Sequence, residues 1–254
     1  MSEPVLRVDG LHKAFGGVQA VEDVSFAVSA GELLALIGPN GAGKSTCFNM
    51  LNGQLAPDSG VVRLEGRDVV GKSPRAIWRM GVGRTFQITA TFSSLSVREN
   101  VQMALYSHAG KLRSLLSRFG AALRAEADAL LVQVGMLDQA ERPCGVLAYG
   151  DLKRVELAMA LANQPRLLLM DEPTAGMAPR ERIELMRLTA QIAREKSIGV
   201  LFTEHDMAAV FGHADDIVVL VRGEIIARGK PAEVRANARV REVYLGGSAA
   251  AGAP

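Results

Sequence analysis

Short apolar runs separated by glycine-containing turns fill the first third of the chain. Three of these runs, at 6–8, 24–28 and 61–64, are rich in β-branched residues and are predicted to be strands. The run LLALI at 33–37 is apolar at every position and has glycines close to both ends. An uninterrupted apolar run of this length indicates a strand that is buried on both faces of a sheet.

The spacing of apolar residues changes to that of helices over about 96–137. Apolar side chains recur there at intervals of three and four positions, first from Val97 to Leu105 and again from Leu123 to Val134. This pattern predicts a largely helical subdomain in the middle of the chain.

Strands and helices alternate in the part of the chain that follows. Apolar stretches at 166–170, 198–203 and 216–221 are predicted to be strands, and the apolar spacing of 180–196 is that of an amphipathic helix. Strands that alternate with helices favour a mainly parallel sheet. The predicted fold class is therefore α/β.

Length and composition narrow the class of protein further. The chain has 254 residues, 29 basic against 27 acidic side chains and a net charge of +2, which suits one large domain and does not indicate a nucleic-acid partner. No apolar run approaches 18 residues, and the N-terminus has no signal-peptide pattern. Two cysteines make no disulfide framework. We expect a protein of the reducing cytoplasm that reaches a membrane only through partners.

A local excess of basic residues occurs at Lys111, Arg113, Arg118 and Arg124. One interpretation is a face that is simply solvated. The other is a patch that lies near anionic lipid headgroups.

The segment GPNGAGKS at 38–45 matches a phosphate-binding loop, G-x-x-x-x-G-K-[ST], at every fixed position. A chain of this length matches those four positions by chance in about one case in a hundred. Glycines let such a loop curl, so that backbone N–H groups and the start of the next helix face a phosphate. Lys44 can then reach the β- and γ-phosphates, and Ser45 can hold Mg²⁺. The residues expected to bind nucleotide here are Gly38, Asn40, Gly41, Ala42, Gly43, Lys44, Ser45 and Thr46.

Two adjacent carboxylates end a later apolar strand, in LLLMDEP at 167–173. Ligands of open α/β sheets bind at the carboxyl ends of the strands. Asp171 suits a Mg²⁺ contact, commonly through water. Glu172 points to the other side of the strand and can polarise an attacking water. The alternative interpretation, a charged loop after a core strand, loses weight because the phosphate loop is in the same chain.

GPNGAGKS and LLLMDEP together resemble the ABC-type ATPases, and other segments extend the resemblance over about residues 4–246. LAYGDLKR at 147–154 resembles the family's signature segment. Gln87 in RTFQ stands at the position of the Q-loop glutamine, and His205 in LFTEHD at that of the switch histidine. Phe15 in KAFGG stands where an aromatic residue stacks on adenine.

The resemblance implies a P-loop ATPase core with a mainly parallel sheet, an N-terminal antiparallel β subdomain and an inserted helical subdomain. We expect one ATPase domain at 4–246, with the helical insertion at about 90–162. The small residues at 247–254 are expected to form a flexible tail.

The resemblance also implies a shared site between two ATPase subunits that stand head to tail. Ala148, Gly150 and Asp151 would then contact the ATP of the opposite subunit in trans. This segment departs from the common family pattern, because alanine and tyrosine stand where many relatives have serine and glycine. Ala178, after the acidic pair, likewise lacks the polar side chain of many relatives.

Within one subunit, the resemblance assigns catalytic roles to Glu172, His205 and Gln87. Ser45, Gln87 and Asp171 are the expected ligands of Mg²⁺, and ATP and Mg²⁺ are the expected cofactors. Gln87 would also link the occupancy of the metal site to the contact with the membrane subunits.

A narrower likeness points to one ATP-binding subunit of branched-chain amino-acid importers, the larger of the two that such systems usually carry. RTFQ, LSVRENV, LAYG and the closing YLG at 244–246 carry it. The implied partners are transmembrane permease subunits, a second related ATPase or a second copy, and indirectly an extracytoplasmic solute-binding protein. The implied location is the cytoplasmic face of the membrane. The alternative function is a soluble ABC-type ATPase, which usually carries two cassettes or a long coiled coil; no sustained heptad pattern is present.

Overall fold

The larger of two sheets forms the centre of the molecule. The computed structural model describes residues 3–85, 91–108 and 123–249. In this part of the chain the strands of the sheet are β3 Leu33–Ile37, β6 Val82–Thr85, β7 Leu167–Asp171, β8 Gly199–Thr203, β9 Asp216–Val221 and β10 Glu224–Gly229. Their order across the sheet is β10-β9-β3-β8-β7-β6. All neighbours pair in parallel except the edge strand β10, which is antiparallel to β9.

The smaller sheet comes mainly from the N-terminal part of the chain and is antiparallel in its described strands. Its order is β2-β1-β4-β5, with β1 Leu6–Phe15, β2 Val18–Val28, β4 Ser59–Leu64 and β5 Arg67–Asp68. The first two strands are longer than the predicted 6–8 and 24–28. The register shifts between Val8 and Leu11, where Gly10 has a φ of 57°. A bulge of this kind interrupts the alternation from which a strand is predicted.

Helices cover the sheets and form the middle segment of the chain. They are α1 Lys44–Leu51, α2 Pro74–Arg79, α3 Val97–His108, α4 Arg124–Gln133, α5 Tyr149–Leu161, α6 Pro179–Lys196, α7 Met207–His213, α8 Pro231–Ala236 and α9 Ala238–Ala249. The helices α3, α4 and α5 pack against one another and lie between β6 and β7 in the chain. The predicted α/β class, with a P-loop core, a mainly parallel sheet, an antiparallel β part and helices inserted in the middle, is confirmed.

Alternate residues of β3 divide the apolar core into two layers. Leu33, Ala35 and Ile37 pack on the side of the sheet that carries α3 to α6. Leu34 and Leu36 pack on the opposite side, with α1 and the smaller sheet. All five are fully buried, as the uninterrupted apolar run predicted. The resulting three layers hold the carboxyl ends of the parallel strands at one edge.

Two predictions, the flexible tail and the basic cluster, concern residues that the structure describes only in part. Helix α9 continues to Ala249, so the first residues of the predicted tail at 247–254 lie in a helix, and the last five lie outside the described residues. Lys111, Arg113 and Arg118 of the basic cluster also lie outside them. Arg124 forms an ion pair with Glu141 at 3.0 Å.

Candidate nucleotide site

The phosphate loop connects the buried strand β3 to helix α1. The ammonium group of Lys44 is buried and donates to the carbonyl oxygens of Gly38 at 2.7 Å and Pro39 at 3.1 Å. Burial lowers the pKa of Lys44 below its ordinary value, while the negative charges of Glu172 and Asp171 act in the opposite direction. The ammonium group therefore lies inside the curl of the loop, within the electrostatic influence of both carboxylates.

Two glycines of the loop are required by close packing of the backbone. A Cβ atom on Gly43 would lie 2.2 Å from the carbonyl oxygen of Ala20, and one on Gly38 would lie 2.1 Å from that of Leu220. Gly43 also has a φ of 102°, a conformation that side chains strongly disfavour. The loop thus keeps its curvature because the backbone of neighbouring strands approaches where a side chain would otherwise be.

The carboxylate of Asp171 is oriented by groups on both neighbouring strands. The hydroxyl of Thr203, at the end of β8, donates to Asp171 Oδ1 at 2.7 Å. On the other side, Arg84 Nη2 of β6 lies 3.9 Å from Asp171 Oδ2. The parallel register that pairs Asp171 with Thr203 places these groups at the same edge of the sheet.

Glu172 and His205 meet at the same edge, and their catalytic roles stay predictions. The distance between Glu172 Oε1 and His205 Nε2 is 2.9 Å. Glu172 has a φ of 49°, and its N–H group donates to Thr203 Oγ1 at 3.0 Å. The left-handed backbone turns the chain sharply after Asp171, so the two adjacent carboxylates diverge. The imidazole is about half exposed, so it is accessible from the open side of the site.

Glu204 is a buried residue of this site that the sequence interpretation missed. Its Oε1 atom accepts hydrogen bonds from the N–H group of Thr174 at 2.8 Å and from the Thr174 hydroxyl at 2.7 Å. Its Oε2 atom accepts from the N–H group of His205 at 3.2 Å. The side chain therefore joins the loop that follows Glu172 to the loop that carries His205. Its position one residue before His205 was the available signal.

Replacement of Glu204 by Ala should destabilise the protein, because the buried hydroxyl and the buried N–H group of Thr174 lose their acceptor. Each such loss costs about 1–3 kcal/mol, so the free energy of unfolding should fall by about 2–4 kcal/mol. Thermal denaturation measures this. Glu204→Gln retains one acceptor oxygen and should lose less, and Glu195→Ala, at an exposed position, should stay within about 0.5 kcal/mol of the parent. A loss for Glu204→Ala no larger than that control would contradict the assignment.

The aromatic ring expected to stack on adenine is accessible. Phe15 ends β1 and is 48% exposed, so part of its surface is open to a ligand. Lys13 Nζ lies 5.5 Å from the ring centroid and forms an ion pair with Asp58 at 2.6 Å. Asp58 also accepts from the N–H group of Ala14 at 2.8 Å, so it fixes the backbone next to Phe15.

The signature residues lie at the start of α5. Ala148 is the N-cap residue, has no side-chain hydrogen bond to the helix start and is exposed. Gly150 is buried against Glu181 of α6, where a Cβ atom would lie 3.1 Å from the carboxyl carbon. None of the hydrogen bonds or ion pairs among the described residues links Ala148, Gly150 or Asp151 to the phosphate loop. Their role in trans stays a prediction, and Gln87 lies outside the described residues.

The oxygen donors at this edge fit Mg²⁺ held together with phosphates. Within residues 3–85, 91–108 and 123–249, no group of three or more His, Cys, Asp or Glu side chains is arranged to hold a metal ion by itself. Ser45 is exposed and directly follows Lys44, whose ammonium group lies within the electrostatic influence of Asp171. Mg²⁺ is usually held by one or two protein oxygens plus substrate phosphates and water. Ser45 and Asp171 match that requirement.

A groove of about 590 Å³ lies beside the site, between α2, β6, α3 and α5. Its wall includes the apolar side chains of Ile77, Trp78 and Met159, and Arg84 and Gln54 line the end towards the nucleotide site.

The described helices include none that is long and apolar enough to cross a membrane.

Comparison with known protein families gives two matches. The profile of the ABC transporter family matches residues 21–175, and that of a branched-chain amino acid ATP-binding cassette transporter matches residues 224–250. The first match contains the phosphate loop and the acidic pair, and the second begins with β10.

Similar proteins and structures extend over almost the whole chain. The high-affinity branched-chain amino acid transport ATP-binding protein LivG of Salmonella typhimurium is 41% identical, over 97% of this chain and 99% of its own length. BraF of Pseudomonas aeruginosa, with the same description, is 39% identical with the same coverage. The crystal structure of MJ1267, an ATP-binding cassette of an ABC transporter in its ADP conformation, gives a TM-score of 0.86 at 30% identity, over 96% of this chain and all of that one.

Proposed function

The chain belongs to the family of ABC transporter ATPases, and from that premise we propose that it hydrolyses ATP at Glu172 to drive a membrane permease that imports branched-chain amino acids. The observation that carries the catalytic part is the 2.9 Å contact between Glu172 and His205, at the sheet edge shared with Lys44 and Asp171. The cargo is supported by the descriptions of LivG and BraF and by the family match at 224–250.

In this proposal some of the described residues bind the nucleotide and Mg²⁺, and others transfer the proton. Lys44 and the backbone N–H groups of the loop hold the β- and γ-phosphates, and Phe15 stacks on adenine. Ser45 and Asp171 would hold Mg²⁺, which would neutralise negative charge on the phosphates of the nucleotide. Gln87 is proposed as a further ligand on the resemblance alone.

Glu172 acts as the general base. A water molecule that donates a hydrogen bond to its carboxylate attacks the γ-phosphorus while the bond to the ADP oxygen breaks, and Glu172 accepts the proton of the water. His205 holds the γ-phosphate and keeps Glu172 in place through the contact at 2.9 Å. Glu204, through Thr174 and His205, keeps the two loops in register.

A complete site also needs a second ATPase subunit. The start of α5, with Ala148, Gly150 and Asp151, offers backbone N–H groups to the γ-phosphate of a partner's ATP. Ala148 is exposed, and no hydrogen bond among the described residues ties it to the phosphate loop of its own chain. This supports a role across an interface, with either a second copy or a related ATPase.

The groove between α2, β6, α3 and α5 is the proposed docking site for a helical segment of the permease. The groove combines apolar walls with Thr85, whose buried hydroxyl has no hydrogen-bond partner among the described residues. An amphipathic segment fits a groove of this kind. The ATPase would thereby sit on the cytoplasmic face of the membrane, and a solute-binding protein would act through the permease.

A Ser107→Trp variant should lose its permease while keeping its ATPase site, because the indole fills the groove. Affinity purification of the tagged chain from its native membrane tests this. We expect wild type to recover membrane subunits and the variant to recover about tenfold less or none. Ala129→Trp, which places the same side chain in a second cleft, is the matched control. Recovery of soluble partners alone by wild type would favour a soluble ATPase instead.

A further inference from the structure

Arg84 is one of the residues that line the groove. Its side chain lies between the groove and the carboxylate of Asp171. Its backbone belongs to β6 and pairs in parallel with Leu169, two residues before Asp171 on β7. The sheet therefore fixes where the side chain starts. The position of the guanidinium group then depends on the groups that it contacts at each end.

The two ends of the guanidinium contact different functional regions. Arg84 Nη1 donates to Gln54 Oε1 at 2.8 Å, which is a direct hydrogen bond. Arg84 Nη2 lies 3.9 Å from Asp171 Oδ2, too far for a direct hydrogen bond but close enough for a charge interaction. Gln54 is exposed in the groove, whereas the side chain of Asp171 is 16% exposed.

The guanidinium of Arg84 would compete with Mg²⁺ for the carboxylate of Asp171. Thr203 already donates to Asp171 Oδ1, so Oδ2 is the oxygen that faces Arg84. A positive charge that moves closer to Oδ2 weakens the attraction of the carboxylate for a divalent cation, and a positive charge that moves away strengthens it. The hydrogen bond to Gln54 contributes to holding the guanidinium at this distance.

We propose that Arg84 is a positioning residue that transmits the state of the groove to Asp171. A partner segment that engages the Gln54 side chain releases the guanidinium towards Asp171 and weakens the hold on Mg²⁺. This inference rests on the proposed metal-binding role of Asp171, and it adds a path by which the occupant of the groove regulates the nucleotide site.

The test is the gain in affinity for a fluorescent N-methylanthraniloyl ATP when Mg²⁺ replaces EDTA, measured by titration of the purified chain. Arg84→Gln removes the competing charge and should increase the gain about three- to tenfold. Gln54→Leu removes the anchor and should decrease the gain by a similar factor. The double variant should behave like Arg84→Gln, because Gln54 acts only through the guanidinium. Arg79→Gln, which removes an exposed charge from α2, should leave the gain unchanged.

The outcomes separate this inference from the proposed function. A purely structural role of Arg84 would move both single variants in the same direction, and that result, or no change in either, overturns the inference. Asp171→Asn tests the premise, because it should abolish most of the gain. If Asp171→Asn keeps the full gain, the metal assignment itself fails, and the role of Arg84 fails with it.

Discussion

Replacement of Glu172 by Gln slows ATP hydrolysis about 10²–10⁴-fold, the range expected when a general base is removed, and leaves ATP affinity within about threefold. Gln keeps the shape of the side chain and one oxygen near His205, but its amide cannot accept the proton of the attacking water. The phosphate loop is untouched, because Lys44 is held by the carbonyls of Gly38 and Pro39. Phosphate release and ATP binding, measured on the same preparation, check both parts.

The same variant should also trap the paired state. ATP that is bound and not hydrolysed keeps two subunits together, so size-exclusion chromatography with ATP and Mg²⁺ should show a larger species for Glu172→Gln than for wild type. Glu184→Gln, at an exposed position of α6, is the control and should turn over ATP at the wild-type rate. Ordinary turnover by Glu172→Gln would show that the base lies elsewhere.

Replacement of Gly43 by Ala should reduce ATP affinity about 100-fold or more. The added methyl would lie 2.2 Å from the carbonyl oxygen of Ala20, so the loop must move away from β2, and the φ of 102° adds backbone strain. Strain and overpacking each cost about 1–3 kcal/mol. Because Gly43 directly precedes Lys44, that displacement misplaces the ammonium group and the first N–H groups of α1.

Gly71 provides a control in which a substitution adds backbone strain without a steric conflict. Gly71 also has a positive φ, of 74°, but a Cβ atom there would meet nothing within 4 Å. Gly71→Ala should therefore lower the melting temperature by a few degrees and leave ATP affinity unchanged. If Gly43→Ala also binds ATP normally, the curvature of the loop does not depend on this close approach. Isothermal titration with ATP and thermal denaturation of both variants give the comparison.

The core of the fold and the candidate site at the sheet edge were predictable because their residues form short, dense patterns. The run at 33–37 predicted a buried strand, and β3 is buried at every position. GPNGAGKS predicted the loop between β3 and α1, and the acidic pair predicted carboxylates at the end of β7. For the loop such a pattern suffices because Lys44 contacts residues that are close to it in the chain.

Features that depend on distant parts of the chain were not predictable. Thr203 orients Asp171, and Glu204 joins the loop after Glu172 to the loop that carries His205. Both lie in the LFTEHD segment, but the sequence alone gives neither of them a role, because their partners lie about thirty residues away in the chain. The edge strands β6 and β10 were missed because they are partly polar. The left-handed backbone of Glu172 follows from the turn between sheet edge and loop, and composition gives no sign of it.

The departures from the common family pattern have a structural context. Ala148 begins α5 without a side-chain cap, so the first N–H groups of that helix receive no hydrogen bond from its N-cap side chain. Ala178 begins α6, and its N–H group donates to Glu181 at 3.1 Å. Glu181 also packs against Gly150. One carboxylate thus links the starts of both helices.

The central claim is that ATP hydrolysis by this chain drives a membrane permease. Its most direct test is uptake of labelled leucine, isoleucine or valine by proteoliposomes that contain the complex purified from the native membrane on the tagged chain. ATP is enclosed, and the solute-binding protein is added outside. We predict uptake that requires enclosed ATP and falls to background when the complex carries Glu172→Gln. Uptake that continues unchanged with Glu172→Gln, or a tagged chain that hydrolyses ATP but brings no membrane subunit with it, would contradict the claim.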